Sequence, residues 1–178
     1  MLRNGKVLVQ LGSVDISGIN SGFTQVVAEI LSVDPACVEI VQGNSHAAPY
    51  APPSGGSQVS YSLIGAISEA TQNVKEQLAK LAADLFEASE NDLVFDEGSV
   101  HVAGLPSRKI KLEKLAEEAE SRKGGSGPVI ATASNSIEDN APAVAVHAVK
   151  VAVDLETGKV SPKNYIAVQD VGLSLIHI

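Results

Sequence analysis

The residues best suited to chemistry are serines and glycines held between prolines, in the stretch 44–60. It reads N-S-H-A-A-P-Y-A-P-P-S-G-G-S-Q-V-S, after an apolar strand-like run and before a long helical pattern. Proline fixes the approach of this loop, and Gly55 and Gly56 present backbone alone. Ser57 stands where a helix begins, as an N-cap, with unpaired N–H groups pointing outward. A strand that ends in a glycine turn against a helix N-terminus can bind an anion. An ordinary capped loop has the same pattern, so this stretch alone leaves both readings open.

Other chemistries find less support. His46, His101, His147 and His177 lack metal-ligand spacing and are expected to be structural or solvated. His46 is the one to watch, because it precedes the glycine turn. Asp15 can orient its own loop through an Asx-type bond or cap the following helix. Glu117, Glu118 and Glu120 form a solvated helix-face run. No serine sits in a nucleophile elbow, and the glycine turns lack the lysine of a P-loop.

The bulk composition narrows the partners. Thirteen basic residues against 21 acidic ones give a net charge of -8, which excludes the clustered cations that nucleic acid requires. Cys37 is the single cysteine; no internal disulfide or cysteine-cluster zinc site follows, and a buried apolar role is expected. With 44% hydrophobic but only 3% aromatic residues and no tryptophan, the core must be built from Val, Leu, Ile and Ala. There is no signal segment and no apolar run long enough to span a bilayer, so a soluble, cytoplasmic protein is expected.

The elements that position the loops are legible from periodicity. Residues 6–11 form a short strand. A turn-rich stretch follows, and then Phe23, Val26, Val27, Ile30 and Leu31 share one helical face, with Ser21 as N-cap and Pro35 beyond the end. Residues 37–42 form the next strand. In residues 58–89, Leu63, Ile67, Ala70, Val74, Leu78, Leu81, Ala82 and Leu85 make an amphipathic helix, in which Gly65 permits a close approach. Residues 93–95 and 99–102 form a tight hairpin. A short helix over 112–121 turns Leu112, Leu115, Ala116 and Ala119 inward. Residues 144–153 and 160–171 form a long hairpin around Thr157-Gly158. The fold class is α+β, a mixed sheet with packed amphipathic helices. Residues 1–123 are expected to be one lobe, 124–128 a glycine-rich linker, and 129–172 a β-hairpin segment beginning a second lobe.

Four stretches, in order, then carry a resemblance: G-S-V-D-I-S-G-I-N-S-G-F-T-Q-V-V-A-E over 12–29, V-E-I-V-Q-G-N-S-H-A-A-P-Y over 38–50, S-G-G-S-Q-V-S-Y over 54–61, and 146–172 with H-A-V-K-V-A-V-D-L-E-T-G-K-V and A-V-Q-D-V-G. Together they resemble the molybdopterin-binding large subunit of the xanthine dehydrogenase and aldehyde oxidase family of molybdenum hydroxylases. The resemblance implies part of a two-lobed cofactor-binding domain. It implies a pyranopterin molybdenum cofactor, in some members a dinucleotide. The implied activity is hydroxylation of an aldehyde, an N-heterocycle or a similar small substrate with oxygen from water. Electrons would leave through iron–sulfur clusters and FAD on partner subunits or domains. Cofactor contacts carry over to Ser17, Gly18, Gly55, Gly56, Ser57 and Ser60, with Gln58 as a neighbour. Backbone donors on two glycine loops explain how so acidic a chain could hold an anionic cofactor.

The chain also departs from that family. Many members read G-Q-G in the first loop, where this chain has Ser17-Gly18-Ile19. The family's catalytic glutamate lies beyond the aligned stretches, so no catalytic residue is assigned and the 178 residues alone are expected to show no turnover. After Asp170-Val171-Gly172 the family pattern continues with a basic residue and an asparagine–proline turn, whereas this chain ends L-S-L-I-H-I. Those six residues match the translation of CTG TCT CTT ATA CAC ATC, which resembles a transposase end used in sequencing-library preparation. Residues 173–178 are therefore expected to be an adapter-derived tail. The alternative function is a non-catalytic α+β module that binds a phosphate-bearing ligand or a protein partner.

Overall fold

The computed structural model describes residues 1, 4–44, 46–121, 127–137 and 144–170. The chain divides into two compact units, Met1–Ser136 and Ile137–Ile178. Residues 129–136, expected with the hairpin segment, thus fall in the first unit. Within 124–128, residues 124–126 lie outside the described residues, as does the tail 173–178.

The first unit opens with two parallel strands, each feeding a helix. β1 (Val7–Gln10) is followed by α1 (Ile19–Leu31), and β2 (Val38–Val41) by α2 (Val59–Phe86). The strands pair from Val7 with Val38 to Gln10 with Val41, and the Leu11 N–H continues the ladder to the Val41 carbonyl at 3.0 Å. β3 (Leu93–Asp96), β4 (Ser99–Val102) and β5 (Lys109–Lys111) form a separate antiparallel sheet, followed by α3 (Leu112–Ser121). Parallel and antiparallel pairing are both present, in separate small sheets. The β3–β4 turn places both Glu97 and Gly98 at positive φ, as a two-residue type I′ hairpin requires.

The core draws on all three helices. Phe23, Val27 and Leu31 from α1 meet Ile67, Leu78, Ala82 and Phe86 from α2, with Leu112, Leu115 and Ala119 from α3. All four residues expected to face inward on α3 are buried. Thr71, polar but buried, satisfies its hydroxyl by donating to the Ile67 carbonyl at 2.7 Å. Cys37 is half-buried, not buried, because it closes a single 3-10 turn at Pro35–Cys37.

The second unit, in its described part, is an antiparallel hairpin of β6 (Val144–Val153) and β7 (Val160–Asp170) with an irregularity between Lys150 and Val151. The Asp154 side chain organises its turn, accepting from the N–H groups of Glu156 at 2.9 Å and Thr157 at 3.0 Å. Those bonds, led by Thr157, hold the Asp154 carboxyl below its ordinary value. No helix among the described residues is long and apolar enough to cross a membrane.

Candidate cofactor-binding site

Both candidate loops leave the carboxyl ends of β1 and β2 and enter α1 and α2. This is the side of a parallel sheet where ligands commonly bind. The loops also share a backbone device. Ser17 and Gly18 both have positive φ (62° and 74°), and so do Gly56 and Ser57 (65° and 57°). Two successive left-handed residues therefore precede each helix. A left-handed conformation strains any residue with a side chain, so the serines at Ser17 and Ser57 are held there against local preference.

The inner halves of the two loops are locked together. A Cβ added at Gly12 would lie 2.0 Å from the Pro49 carbonyl oxygen and 3.2 Å from the Ala51 Cβ, so only glycine allows this approach. Gln10 Nε2 donates to the Ala47 carbonyl at 2.9 Å. Gln42, just past β2, donates from Nε2 to Ser13 Oγ at 3.2 Å and to Asn20 Oδ1 at 3.0 Å, and its Oε1 accepts from Asn20 Nδ2 at 3.0 Å. These contacts join the first loop, α1 and the start of the second loop. Gly12, Ser13, Asn20 and Gln42 were not singled out from the sequence as site residues, since glutamine and asparagine carry no signal without the pairing of β1 with β2.

The outer halves, which hold the expected contact residues, are exposed. Ser17, Gly18, Gly55, Gly56, Ser57, Gln58 and Ser60 all face solvent, and a Cβ at Gly18, Gly55 or Gly56 would meet nothing within 4 Å. Among the described residues no hydrogen bond joins Ser17 or Gly18 to residues 55–60, so the structure makes two neighbouring loop ends and not one closed ring.

The two helix starts differ in what already occupies them. α1 begins at Ile19 with Gly18 as N-cap, three residues before the cap expected at Ser21. The reason is Asp15: its Oδ1 accepts from the Asn20 N–H at 3.3 Å, so Asp15 caps the helix. The Ser21 N–H is turned back to the Gly18 carbonyl at 3.1 Å. α2 begins at Val59, with Gln58 in the N-cap position and no side-chain cap bond. Ser57, expected as the cap, is one residue too early and left-handed. A turn at Gly56–Ser57 points the Gln58 N–H back toward the Gly55 carbonyl, and among the described residues the N–H groups of Val59 and Ser60 find no acceptor. Open space beside Gly55 and Gly56, free N–H donors and two serine hydroxyls suit an anionic, phosphate-bearing pterin at α2. The α1 end offers Ser17 and the loop edge, the Asn20 and Ser21 N–H groups being taken.

His46 is exposed, its N–H bonded to Asn44 Oδ1 at 3.0 Å, and no group of three or more His, Cys, Asp or Glu side chains converges among the described residues.

Comparison with known proteins gives this geometry its family. Residues 1–175 match the family described as "Molybdopterin cofactor-binding domain", and the chain belongs to it. Curated relatives include the 6-hydroxypseudooxynicotine dehydrogenase complex subunit gamma of Paenarthrobacter nicotinovorans, 31% identical over 64% of this chain and 14% of its own length. The carbon monoxide dehydrogenase large chain of Afipia carboxidovorans is 27% identical over 63% of this chain and 14% of its own. Among solved structures, quinoline 2-oxidoreductase from Pseudomonas putida 86 superposes with a TM-score of 0.71 and 29% identity, over 96% of this chain and 22% of that one. A Cu,Mo-CO dehydrogenase shares the fold, with a TM-score of 0.73 at 23% identity, over 96% of this chain and 22% of that one. The chain thus spans about a seventh of the length of the curated relatives it matches. The α+β fold and the molybdenum-enzyme family expected from the four sequence stretches agree with these comparisons.

Proposed function

We propose that this chain supplies one side of the pyranopterin molybdenum cradle in the catalytic subunit of a hydroxylase. That subunit would act on an aldehyde, an N-heterocycle or a similar small substrate, with iron–sulfur and FAD partners, in the cytoplasm. The cofactor, when bound, supplies the redox chemistry, and the protein's task is to hold, orient and exclude water. The N–H groups of Val59 and Ser60 would face the anionic part of the cofactor, with the Ser57 and Ser60 hydroxyls and the Gln58 side chain beside them. Gly55 and Gly56 would let it approach the backbone. Ser17 and Gly18 would contact its neutral part from the other loop, whose helix end Asp15 already caps. The observation that carries this reading is the uncapped α2 start beside open space at Gly55 and Gly56.

The experiment is substitution of Gly55 and Gly56 by valine in the complete subunit, purified from a host that makes the cofactor. Bound molybdenum and released pterin are expected to fall by at least tenfold, with helical content retained. Full molybdenum content in the doubly substituted protein would overturn the assignment.

A further inference from the structure

Residues 127–137 form neither helix nor strand, yet they follow a regular path. Burial alternates from 129 to 134: Val129 is buried and Ala131 and Ala133 are half-buried, whereas Ile130, Thr132 and Ser134 are exposed; Asn135, next along, is exposed too and touches α2 with its side chain. That period of two is the mark of an extended chain lying on a surface. The surface is α2. Gln77 Nε2 donates to the Ile130 carbonyl at 2.9 Å, and a Cβ at Gly65 would meet Asn135 Nδ2 at 2.6 Å and Cγ at 2.9 Å. Gly65 to Gln77 spans about 18 Å of helix, and Ile130 to Asn135 about 17 Å of extended chain. The two lengths agree, so the segment runs straight and antiparallel to α2, toward the helix's N-terminal end. The Met1 amino group anchors its start by donating to the Val129 carbonyl at 2.7 Å.

The N-terminal end of α2 buries its first residue, Val59, and packs Leu63 against the core. It lacks a side-chain cap, and none of residues 60–66 is fully buried. An uncapped helix end is where local opening concentrates. We propose that Asn135 is a positioning residue. Its amide, seated on Gly65, steadies the first two turns of α2 and through them the loop at Gly55 to Ser60. The clasp stands on geometry alone; its effect on cofactor retention rests on the function proposed above.

Gly65 makes the test diagnostic, because alanine at an interior helix position ordinarily stabilises relative to glycine. In the 178-residue chain, amide hydrogen exchange over residues 62–68 is measured for Gly65→Ala, Asn135→Ala and the double variant. With Asn135 present, Gly65→Ala is expected to speed exchange by about tenfold, because the new methyl unseats the amide. With Asn135→Ala, the same substitution is expected to slow exchange by about threefold, as helix propensity alone dictates. Asn135→Ala by itself is expected to speed exchange over 62–68 by about threefold while leaving α3 unchanged. That arm remains decisive if Gly65→Ala does not fold. Slower exchange for Gly65→Ala in both backgrounds, or unchanged exchange for Asn135→Ala, would overturn the clasp. In the complete subunit, Asn135→Ala is expected to lower retained pterin at an unchanged melting temperature. Altered exchange with full retention refutes the positioning role if Gly55→Val lowers retention; if Gly55→Val also retains full cofactor, the cofactor reading itself has failed.

Discussion

Replacing Gly12 by alanine tests whether the two loops meet as described. The added methyl would sit 2.0 Å from the Pro49 carbonyl oxygen, where ordinary contact begins at 3.4 Å. Roughly 1.4 Å of movement must therefore be found, and a backbone carbonyl cannot rotate aside as a side chain can. The Ala51 Cβ and backbone N, each at 3.2 Å, block the other directions. Gly12 has no positive φ, so the penalty is steric and not torsional. Overpacking of this kind costs about 3 kcal/mol, the upper end of the usual range. At about 3 °C per kcal/mol for a chain of this size, the melting midpoint falls by about 10 °C. Among the described residues all three helices lie in the first unit, so helical circular dichroism reports its unfolding. Gly22, within α1 and with nothing within 4 Å of its Cβ, is the control. Gly22→Ala is expected to raise stability by about 0.5–1 kcal/mol. A Gly12→Ala protein that melts within about 3 °C of the parent would refute the packing of the first loop on Pro49.

Other substitutions probe the remaining parts of the site. Ser57→Gly relieves a left-handed serine and is expected to raise stability by up to about 1 kcal/mol while lowering retained pterin; gain or loss of both together contradicts a strained contact residue. Gln42→Ala strands the Ser13 hydroxyl and the Asn20 amide and is expected to destabilise by about 2 kcal/mol in chemical denaturation. A loss under about 0.5 kcal/mol would remove Gln42 from any organising role. In the hairpin turn, the N–H groups of Thr157 and Glu156 lower the Asp154 pKa. Its contribution is thus complete above the unfolded-state value and is lost as pH falls through the lowered folded value. Protection of the Glu156 and Thr157 amides is expected to decay only at acid pH, and Asp154→Asn should abolish that dependence.

Much of the scaffold was legible in the sequence because helix burial repeats at a fixed period. α3 was read to its ends and inward face, and α2 lacked buried Val59, Thr71, Ala83 and Phe86 from its inner list. What was missed depends on partners distant in sequence. β5 is only Lys-Ile-Lys, and its strand character comes from pairing with β4. The start of α1 was placed at Ser21 because serine is a good cap, whereas Asp15, five residues before Asn20, reaches back over the loop to do that work. The glycine-rich run at 124–128 suggested a domain boundary, but Val129 joins the core, the Ile130 carbonyl accepts from Gln77 of α2, and the compact unit ends at Ser136. Gly65 was read as a point of close approach; that Asn135 lies there needed the fold.

The two β–loop–helix units resemble each other in backbone and differ in charge. Each places two left-handed residues before its helix, which aims the first N–H groups outward. At α1 the Asp15 carboxylate already takes one of them and lies against the positive end of the helix dipole, an arrangement that stabilises the helix and repels a second anion. At α2 no side chain fills the equivalent place. An anionic group approaching the pair meets a closed position on one side and an open one on the other. In a chain with eight excess negative charges, this difference matters more than overall attraction, because backbone donors act at hydrogen-bond range where net charge is screened. The family resemblance made the Gly55–Ser57 loop one half of a cradle and Ser17–Gly18 its other, variant half. The hydrogen bonds make them unequal: α2 is suited to the charged part of a ligand, and the Ser17–Gly18 loop to its neutral part.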